Sequence, residues 1–391
     1  MRISKRSVRA LPRSKPSESF GKRTRVRRWG LWVLAAVVVL ALIHTFLIQS
    51  FTVTTPSMEG TLEVHDLLLV SKLAYGPRLP VTPVAVPFAL HSVWGLKSYA
   101  DRPRFGYHRL KGSPVSRGDV VAFNFPEGDT VVKQQPGENY YALKRAYGIR
   151  YLQDHYTLLS RPLDRRDVRV ARCVGLPGDT LEITGGVVYD DGVAETPPAA
   201  LRRQYVVAVT GPFNLARLRE MHIDDSFAIV GHRICVFNLS GNDSARLSGF
   251  ANVIRITRAV VRGADAAVFP HDTARFPWNP DRLGPLVVPR SGMSVPLDTA
   301  SVVLYRRIIT RYEHHRLRVT AGKILLDGRP AKSYTFRMNY YWMMGDNRAV
   351  ARDSRYWGFV PEDHLIGKAW FVVASYGGGG IRWKRLLHGI D

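Results

Sequence analysis

The longest apolar segment of the chain covers residues 29–51 and contains no charged side chain. A run of about twenty apolar residues is long enough to span the hydrocarbon core of a bilayer as one helix. A cleaved signal peptide would have a shorter apolar region and small residues at a cleavage site, which Ile48-Gln49-Ser50-Phe51 does not supply. We therefore predict an uncleaved transmembrane anchor at 29–51, and a single crossing of the membrane.

Residues 1–28 form a basic segment in front of this anchor. They contain eleven Lys or Arg residues and one acid, Glu18, and they show no apolar periodicity. This composition predicts a disordered tail. Basic residues that flank a membrane span stay on the cytoplasmic side. The N-terminus is therefore expected in the cytoplasm, with residues 52–391 exported.

The remainder of the chain has the alternation expected of β-strands. Short apolar or alternating runs are bounded by Gly, Pro, Asn or Asp, and they lie at 119–123, 168–174, 180–189, 302–310 and 369–375. Gly185-Gly186 and Asp327-Gly328 each separate two such runs, as in β-hairpins. Stretches near 76–116, 126–166 and 195–300 are richer in Pro, Arg and aromatic residues. We predict a mainly β core carrying these three insertions.

The net charge of +24 could indicate a nucleic-acid-binding protein, but its distribution argues against one. Much of the charge lies in the basic tail, and no dense basic run or nucleic-acid-binding motif follows it. A face directed toward anionic lipid headgroups explains the remaining charge equally well. We expect the bilayer, and no nucleic acid, among the partners.

The cysteine and histidine content predicts neither a metal site nor a cofactor. Two cysteines, Cys173 and Cys235, are too few for a zinc cluster, and the sequence leaves open whether they pair. His314 and His315 are adjacent and have no metal-ligand spacing around them. We interpret the two histidines as a solvated surface pair.

Four separated blocks carry the candidate chemistry. Ser57-Met58 follows the anchor, and the later blocks are Arg-Gly-Asp-Val-Val-Ala-Phe at 117–123, Arg-Cys-Val-Gly-Leu-Pro-Gly-Asp at 172–179, and Gly-Asp-Asn-Arg at 345–348 with Asp-Ser-Arg-Tyr-Trp-Gly at 353–358. In this order, behind one anchor, they resemble the bacterial type I signal peptidases. Runs such as Tyr75-Gly76-Pro77 resemble the long form typical of Bacteroidetes. The resemblance implies an all-β signal-peptidase core with an additional β-rich domain.

The resemblance also implies a Ser–Lys mechanism, a variant of the serine-protease template. In the family, a serine attacks the scissile carbonyl and a desolvated, neutral lysine accepts its proton. The nucleophile position is Ser57. Thr55 matches the hydroxyl that completes the oxyanion hole with the backbone N–H of Ser57. Met58 matches a residue that lines the substrate groove.

The fourth block matches residues that support the site. Asp353 and Arg355 correspond to a structural ion pair of the family. The turn containing Asp346, Asn347 and Arg348 corresponds to the turn that braces the nucleophile.

The chain departs from the family at two positions. Ala171 stands where the family has its lysine base, and Ala351 stands where a serine hydroxyl binds that lysine. The two changes agree with each other, because a buried serine without the lysine would leave a hydroxyl unsatisfied.

Three basic residues are candidates to replace the missing base. Arg169 shares a strand face with residue 171, but an arginine does not deprotonate in proteins. Lys144 precedes Arg145 and imitates the lost motif, without the Pro-Gly-Asp turn. Lys72 follows a predicted strand, and the sequence does not place it near Ser57.

The sequence therefore supports two hypotheses. The chain is either a serine endopeptidase that removes signal peptides at the outer face of the inner membrane, or a non-catalytic paralogue. A non-catalytic paralogue would bind signal peptides or partner an intact signal peptidase.

Overall fold

The computed structural model describes residues 19–86, 89–221, 223, 227–231, 233–320 and 322–390. Most of the predicted disordered tail lies outside these residues.

The N-terminal helix α1 covers Ser19–Phe46. Its segment Arg27–Phe46 is twenty residues long with a mean hydropathy of 2.1, which is long and apolar enough to cross a membrane. The helix ends five residues before the predicted end of the anchor, and the apolar run continues as a strand at Ile48–Thr52. It also begins earlier than predicted, since residues 19–28 of the basic segment are helical.

A central antiparallel sheet follows the helix. Its seven main strands, numbered in chain order, are β1 (Ile48–Thr52), β2 (Asp66–Ser71), β3 (Val120–Asn124), β4 (Val168–Gly175), β5 (Tyr340–Met344), β6 (Val360–Pro361) and β7 (Leu365–Gly377). Their order across the sheet is β1-β2-β7-β3-β4-β5-β6, and Gly380–Ile381 and His388–Gly389 add to β7. One core, which includes Met58, Val121, Ala171 and Met343, packs against this sheet.

A second sheet contains Thr180–Thr184, Val187–Asp190, Val193–Ala194 and Arg282–Val287. The Gly185-Gly186 hairpin predicted from the sequence is confirmed by the antiparallel pairing of Thr184 with Val187. This sheet packs on the largest apolar cluster, to which Trp342 of β5 also belongs. Alternate residues of β5 therefore enter two different cores, Trp342 this one and Met343 the core of the central sheet.

The chain between these sheets forms an insertion sheet with its own core. Its strands are Arg202–Val209, Phe227–Gly231, Ile234–Ser240 and Val253–Arg258. Helices Leu215–Glu220 and Gly241–Ser248 cover it, and Leu218 and Leu247 are fully buried in its core. The mainly β fold with a β-rich additional domain, predicted from the sequence, is confirmed.

The remaining elements are short. The helices are Tyr140–Tyr147, Ile149–His155, Thr299–Arg307 and Ser354–Trp357, with a π-helical turn at Ile308–Tyr312 and 3₁₀ turns at Pro56–Met58, Leu163–Arg165, Glu362–His364 and Trp383–Arg385. The minor strands are Ser92–Val93, Leu96–Lys97, Thr130–Val132, Leu158–Ser160, Ser294–Pro296, Leu317–Thr320, Lys323–Leu326, Arg329–Pro330 and Ser333–Thr335. The hairpin predicted at Asp327-Gly328 is confirmed.

The strand predicted at 302–310 is wrong. These residues lie in the helix Thr299–Arg307 and the π-helical turn after it. Asp298 caps the helix by accepting bonds from the backbone N–H groups of Ala300 and Ser301, and the Ser301 hydroxyl completes a capping box. This cap outweighs the strand preference of Val302 and Val303.

Both cysteines are free and buried, Cys173 in the central core and Cys235 in the insertion core. The two adjacent histidines differ in their exposure. His314 is exposed, whereas the ring of half-buried His315 lies 2.6 Å from a carboxylate oxygen of Asp327.

Candidate active site

Ser57 lies in the 3₁₀ turn Pro56–Met58, directly after an extended Thr55. Proline at the first position of a helical turn costs no hydrogen bond, because that N–H would be unpaired. The hydroxyl oxygens of Ser57 and Thr55 are 3.1 Å apart, so the two side chains form one hydrogen-bonded pair. Ser57 is half-buried and therefore open to a substrate from one direction.

Ala171 lies on β4, opposite Val121 of β3. The 3₁₀ turn that carries Ser57 packs directly on this strand. Ala171 is 5% exposed and shares the central core with Met58. The fold therefore places the position of the family's lysine beside the serine-bearing turn, with a methyl group in place of an amine.

Ala351 also lies close to the serine turn, with Gly345 between them. A Cβ atom built on Gly345 would lie 2.4 Å from the Ser57 carbonyl oxygen and 2.6 Å from the Cβ of Ala351. The serine turn, Gly345 and Ala351 are thus in close contact, and Ala351 is 2% exposed. This close approach explains why residue 345 has no side chain, since any Cβ there would clash with backbone atoms.

The Ser57 hydroxyl has one side-chain hydrogen-bond partner among the described residues, and that partner is Thr55. Lys72 instead donates from Nζ to the carbonyl oxygens of His44 and Thr45 at the end of α1, at 2.8 and 3.0 Å. Lys72 follows the end of β2 that pairs with Ile48, whereas Ser57 follows the opposite end of the β1–β2 pair. The four residue steps between those ends span roughly 13 Å, beyond the reach of a lysine side chain.

The other two basic candidates are also engaged or remote. Lys144 is exposed on the helix Tyr140–Tyr147, which packs with the hairpin strand Thr130–Val132 in a separate small core. The guanidinium of Arg169 lies 5.0 Å from the ring centre of Phe125. Burial lowers the pKa of Arg169, yet a guanidinium remains charged at neutral pH.

The residues that correspond to the family's ion pair lie together beneath this site. Arg355 donates from Nε and from a terminal nitrogen to the two carboxylate oxygens of Asp353, at 2.9 and 2.8 Å. One of those oxygens also accepts the backbone N–H of Gly345 at 3.0 Å. Both side chains are almost fully buried, so the pair fixes Gly345 against the serine turn.

A second buried ion pair was not anticipated from the sequence. Arg172 donates to both carboxylate oxygens of Asp346, at 2.9 and 2.7 Å, and Thr61 donates to the same carboxylate at 2.6 Å. This bidentate pair joins β4 to the Asp346 turn. The sequence motifs at 172–179 and 345–348 identified Arg172 and Asp346 separately, but they did not predict that the two side chains form an ion pair.

Asn347 connects the turn to Ser57 and to the insertion sheet. Its backbone N–H donates to the Ser57 carbonyl at 3.0 Å, and its amide donates to Glu59 at 2.9 Å. Asn238 of the insertion sheet donates to the Asn347 side chain at 3.0 Å. Arg202 exchanges backbone bonds with Asp346 and Arg348, so the insertion sheet holds the turn directly.

Met58, predicted to line a substrate groove, lies between the serine turn and the Asp346 turn. Met58 is 1% exposed, and its sulfur accepts the backbone N–H of Asp346 at 3.4 Å. A thioether fills irregular space between packed elements, and here it fills the space between the serine turn and the Asp346 turn. Its side chain therefore presents no surface to a peptide.

Two strand edges beside Ser57 could receive an extended peptide. β1 is the terminal strand of the central sheet. β5 pairs only with the Arg172–Gly175 half of β4, so within the described chain no strand pairs with residues 168–171 on that side. Exposed strand edges bind peptides through main-chain hydrogen bonds. The arrangement thus brings together the Ser57 hydroxyl, the neighbouring Thr55 hydroxyl and a strand edge, without a proton acceptor at position 171.

Among the described residues, one cluster of three carboxylates has the spacing of a metal site. Asp179, Asp190 and Asp191 bring their oxygens within 4.8 Å of one another. Arg117 forms ion pairs with both Asp179 and Asp190, so two of the three carboxylates already have a cationic partner.

The chain is similar to known signal peptidases. The family described as signal peptidase, peptidase S26, matches residues 26–221 and 316–374. Signal peptidase I of Haemophilus influenzae is 44% identical over 346 residues, which are 87% of this chain and 67% of that protein. The enzyme of Pseudomonas aeruginosa is 21% identical over 370 residues, 92% of this chain and 76% of that protein. In Buchnera aphidicola the same enzyme is 51% identical over 49 residues, 12% of this chain and 16% of that protein.

Proposed function

Because the chain belongs to the peptidase S26 family of signal peptidases, we propose that it binds the signal peptides of exported proteins without cleaving them efficiently. Binding would take place at the outer face of the inner membrane, with the N-terminus of α1 in the cytoplasm and the β domains outside. The basic residues before α1 and its apolar length support this orientation.

One observation supports the loss of efficient cleavage. The Ser57 hydroxyl contacts Thr55, while the neighbouring positions 171 and 351 are both buried alanines. A serine hydroxyl is a weak nucleophile without a base within hydrogen-bond distance. Ser57 in this environment would attack a peptide carbonyl far more slowly than an activated serine.

Peptide binding needs no base. The edges of β1 and β4 remain available, and the supporting contacts of Asp353, Asp346 and Asn347 hold the serine turn in place.

The test is equilibrium binding of a fluorescent signal peptide to the full chain in detergent. We expect saturable binding, weakened at least tenfold when the small residues at positions −1 and −3 of the cleavage site are replaced by glutamine. Ser57→Ala is the matched control and should bind as the natural chain does, because the hydroxyl contributes to chemistry rather than to affinity. Equal affinity for both peptides would contradict the proposal.

A second candidate function is slow or rerouted cleavage. It is favoured by the Thr55 hydroxyl, which lies 3.1 Å from the Ser57 hydroxyl and would be the side-chain donor of the predicted oxyanion hole. Cleavage that disappears in Ser57→Ala would support this candidate. A further possibility, partnership with an intact signal peptidase, would appear as co-purification of the two chains from the membrane.

A further inference from the structure

A cavity of about 200 Å³ lies between the insertion sheet and the turn behind Ser57. Arg203, Arg258, Arg348 and Arg355 line it, and Asp281 is the one carboxylate among its lining residues. Its volume corresponds to roughly six water molecules. A small space lined by four arginines and one aspartate carries a positive potential.

The four arginines come from two separate parts of the fold. Arg203 and Arg258 belong to neighbouring strands of the insertion sheet, Arg202–Val209 and Val253–Arg258. Arg348 and Arg355 flank the Ala349–Arg352 segment that leads from the Asp346 turn to the buried ion pair. The cavity is therefore formed only when the insertion sheet docks on the central sheet.

The carboxylates near the cavity do not neutralise all four charges. Asp353 is committed to Arg355. Asp281 accepts the backbone N–H of Val261 at 2.7 Å, and its single negative charge offsets only part of the positive charge of Arg203 and its neighbours. Arg203 and Arg258 each donate a terminal nitrogen to a neutral backbone carbonyl in the Gly185-Gly186 hairpin. Carbonyl partners satisfy a donor but leave the positive charge uncompensated.

Arg348 has unused hydrogen-bonding capacity. It is 9% exposed, and its Nε has no hydrogen-bond partner among the described residues. One terminal nitrogen donates to the Met344 sulfur at 3.5 Å, and the other lies 3.9 Å from a Glu195 carboxylate oxygen. The Nε of Arg203 is likewise buried and, within the described chain, without a partner. Buried donors of this kind are rare in native proteins and point to a missing acceptor.

The charges also repel one another. Burial and the neighbouring Arg355 lower the pKa of Arg348 to about 10, against partial compensation by Glu195. Burial and then Arg258 lower the pKa of Arg203. An anion among these groups would relieve both effects, since it would supply acceptors and negative charge together.

We propose that this cavity is a binding site for a small tetrahedral oxyanion, with inorganic phosphate as the representative ligand. Planar guanidinium groups bind such oxyanions through paired N–H···O bonds. The anion would connect Arg203 and Arg258 of the insertion sheet to Arg348 of the turn whose Asn347 binds the Ser57 carbonyl. It would thereby hold the insertion sheet against the candidate site.

The first experiment uses the natural full-length chain in detergent and a chloride buffer. Inorganic phosphate is titrated by calorimetry, and sulfate is titrated in parallel at matched ionic strength. We expect saturable binding of phosphate with about one site per chain, and saturable sulfate binding would extend the site to tetrahedral oxyanions in general. The absence of saturable phosphate binding to the natural chain would overturn the proposal.

The second experiment locates the site with charge-matched variants. Arg258→Gln should weaken phosphate binding at least tenfold, whereas Arg255→Gln, an exposed arginine on the same strand, should change it less than twofold. Equal weakening by the two variants would show that net charge alone attracts phosphate, and would overturn the site. Far-UV circular dichroism confirms that each variant is folded.

The third experiment needs no variant and therefore does not depend on folding. The natural chain is treated with phenylglyoxal with and without phosphate, and the modified arginines are mapped by mass spectrometry. Phosphate should protect Arg203 and Arg258 but leave the modification of Arg255 unchanged. Protection of Arg255 to the same extent, or of none of the three, would contradict the proposal.

Discussion

Restoring the missing base should restore cleavage. The perturbation is Ala171→Lys, alone and combined with Ala351→Ser. Position 171 is 5% exposed and lies beside the serine turn, so a lysine amine there would be desolvated and its pKa lowered toward neutrality. A neutral amine near Ser57 would supply the proton acceptor that the natural chain lacks.

The expected gain in turnover follows from the fact that a nucleophile and its base act as one catalytic unit. Loss of one member of a catalytic unit lowers turnover by about 10⁴- to 10⁶-fold, so the double variant should exceed the natural chain by a large part of that factor. Ala351→Ser alone buries a hydroxyl without an amine partner, which should cost about 1–3 kcal/mol of stability. When Ala171→Lys is also present, the amine becomes that partner and the cost should shrink, giving a measurable coupling between the two substitutions.

The assay is cleavage of a preprotein in detergent by the natural chain, each single variant and the double variant, together with denaturant unfolding of all four. Ala142→Lys is the matched control, because it adds a lysine on an exposed helix outside the site. Ser57→Ala in the double variant should abolish the restored cleavage. A folded double variant without activity would refute the reasoning, and Pro56, which removes one N–H beside the oxyanion position, would be the first residue to examine.

Three further predictions concern topology and stability. Protease added to intact spheroplasts should degrade the chain beyond residue 52, and protection of that region would contradict the N-in orientation. Asp353→Ala leaves Arg355 buried without its carboxylate and should lower the free energy of unfolding by about 3–5 kcal/mol. The control Asp101→Ala removes an exposed ion pair and should change the free energy of unfolding little. Similar effects of the two substitutions would contradict the stabilising role of the buried pair. Burial lowers the pKa of His364 to about 4, although Asp363 opposes the shift. The unfolded chain therefore binds the proton first, and stability should fall by about 3 kcal/mol as the pH drops from about 6.5 to 4. His364→Gln should reduce that pH slope and the exposed control His108→Gln should not; unchanged slopes in denaturant unfolding would refute the assignment.

Short sequence patterns predicted the hairpins correctly, because the residues of the turn itself determine a hairpin. The Gly185-Gly186 and Asp327-Gly328 turns predicted their hairpins because glycine adopts the positive φ that tight turns require. The strand prediction at 302–310 failed because a helix forms there instead. Asp298 and Ser301 cap the start of that helix, and this helix-start signal outweighs the strand preference of the β-branched residues. The end of the anchor was misplaced because Ile48–Thr52 continues the apolar run while pairing with β2 as a strand.

The candidate site was predictable only in part. Motif order identified Ser57, Thr55 and the two alanines, and the structure places those positions around the same turn. The contacts of Arg202 and Asn238 with the Asp346–Arg348 turn join residues more than a hundred positions apart, and no local pattern encodes them. The burial of Met58 likewise depends on the packing of two distant turns, so its motif position alone does not reveal it.

The most direct test of the account compares the natural chain with Ser57→Ala in a single preprotein reaction, measuring binding and cleavage together. The account predicts that both chains bind the preprotein equally and that neither releases mature protein above the background. Efficient release of mature protein by the natural chain, abolished in Ser57→Ala, would contradict it and show that a base elsewhere in the chain activates the serine.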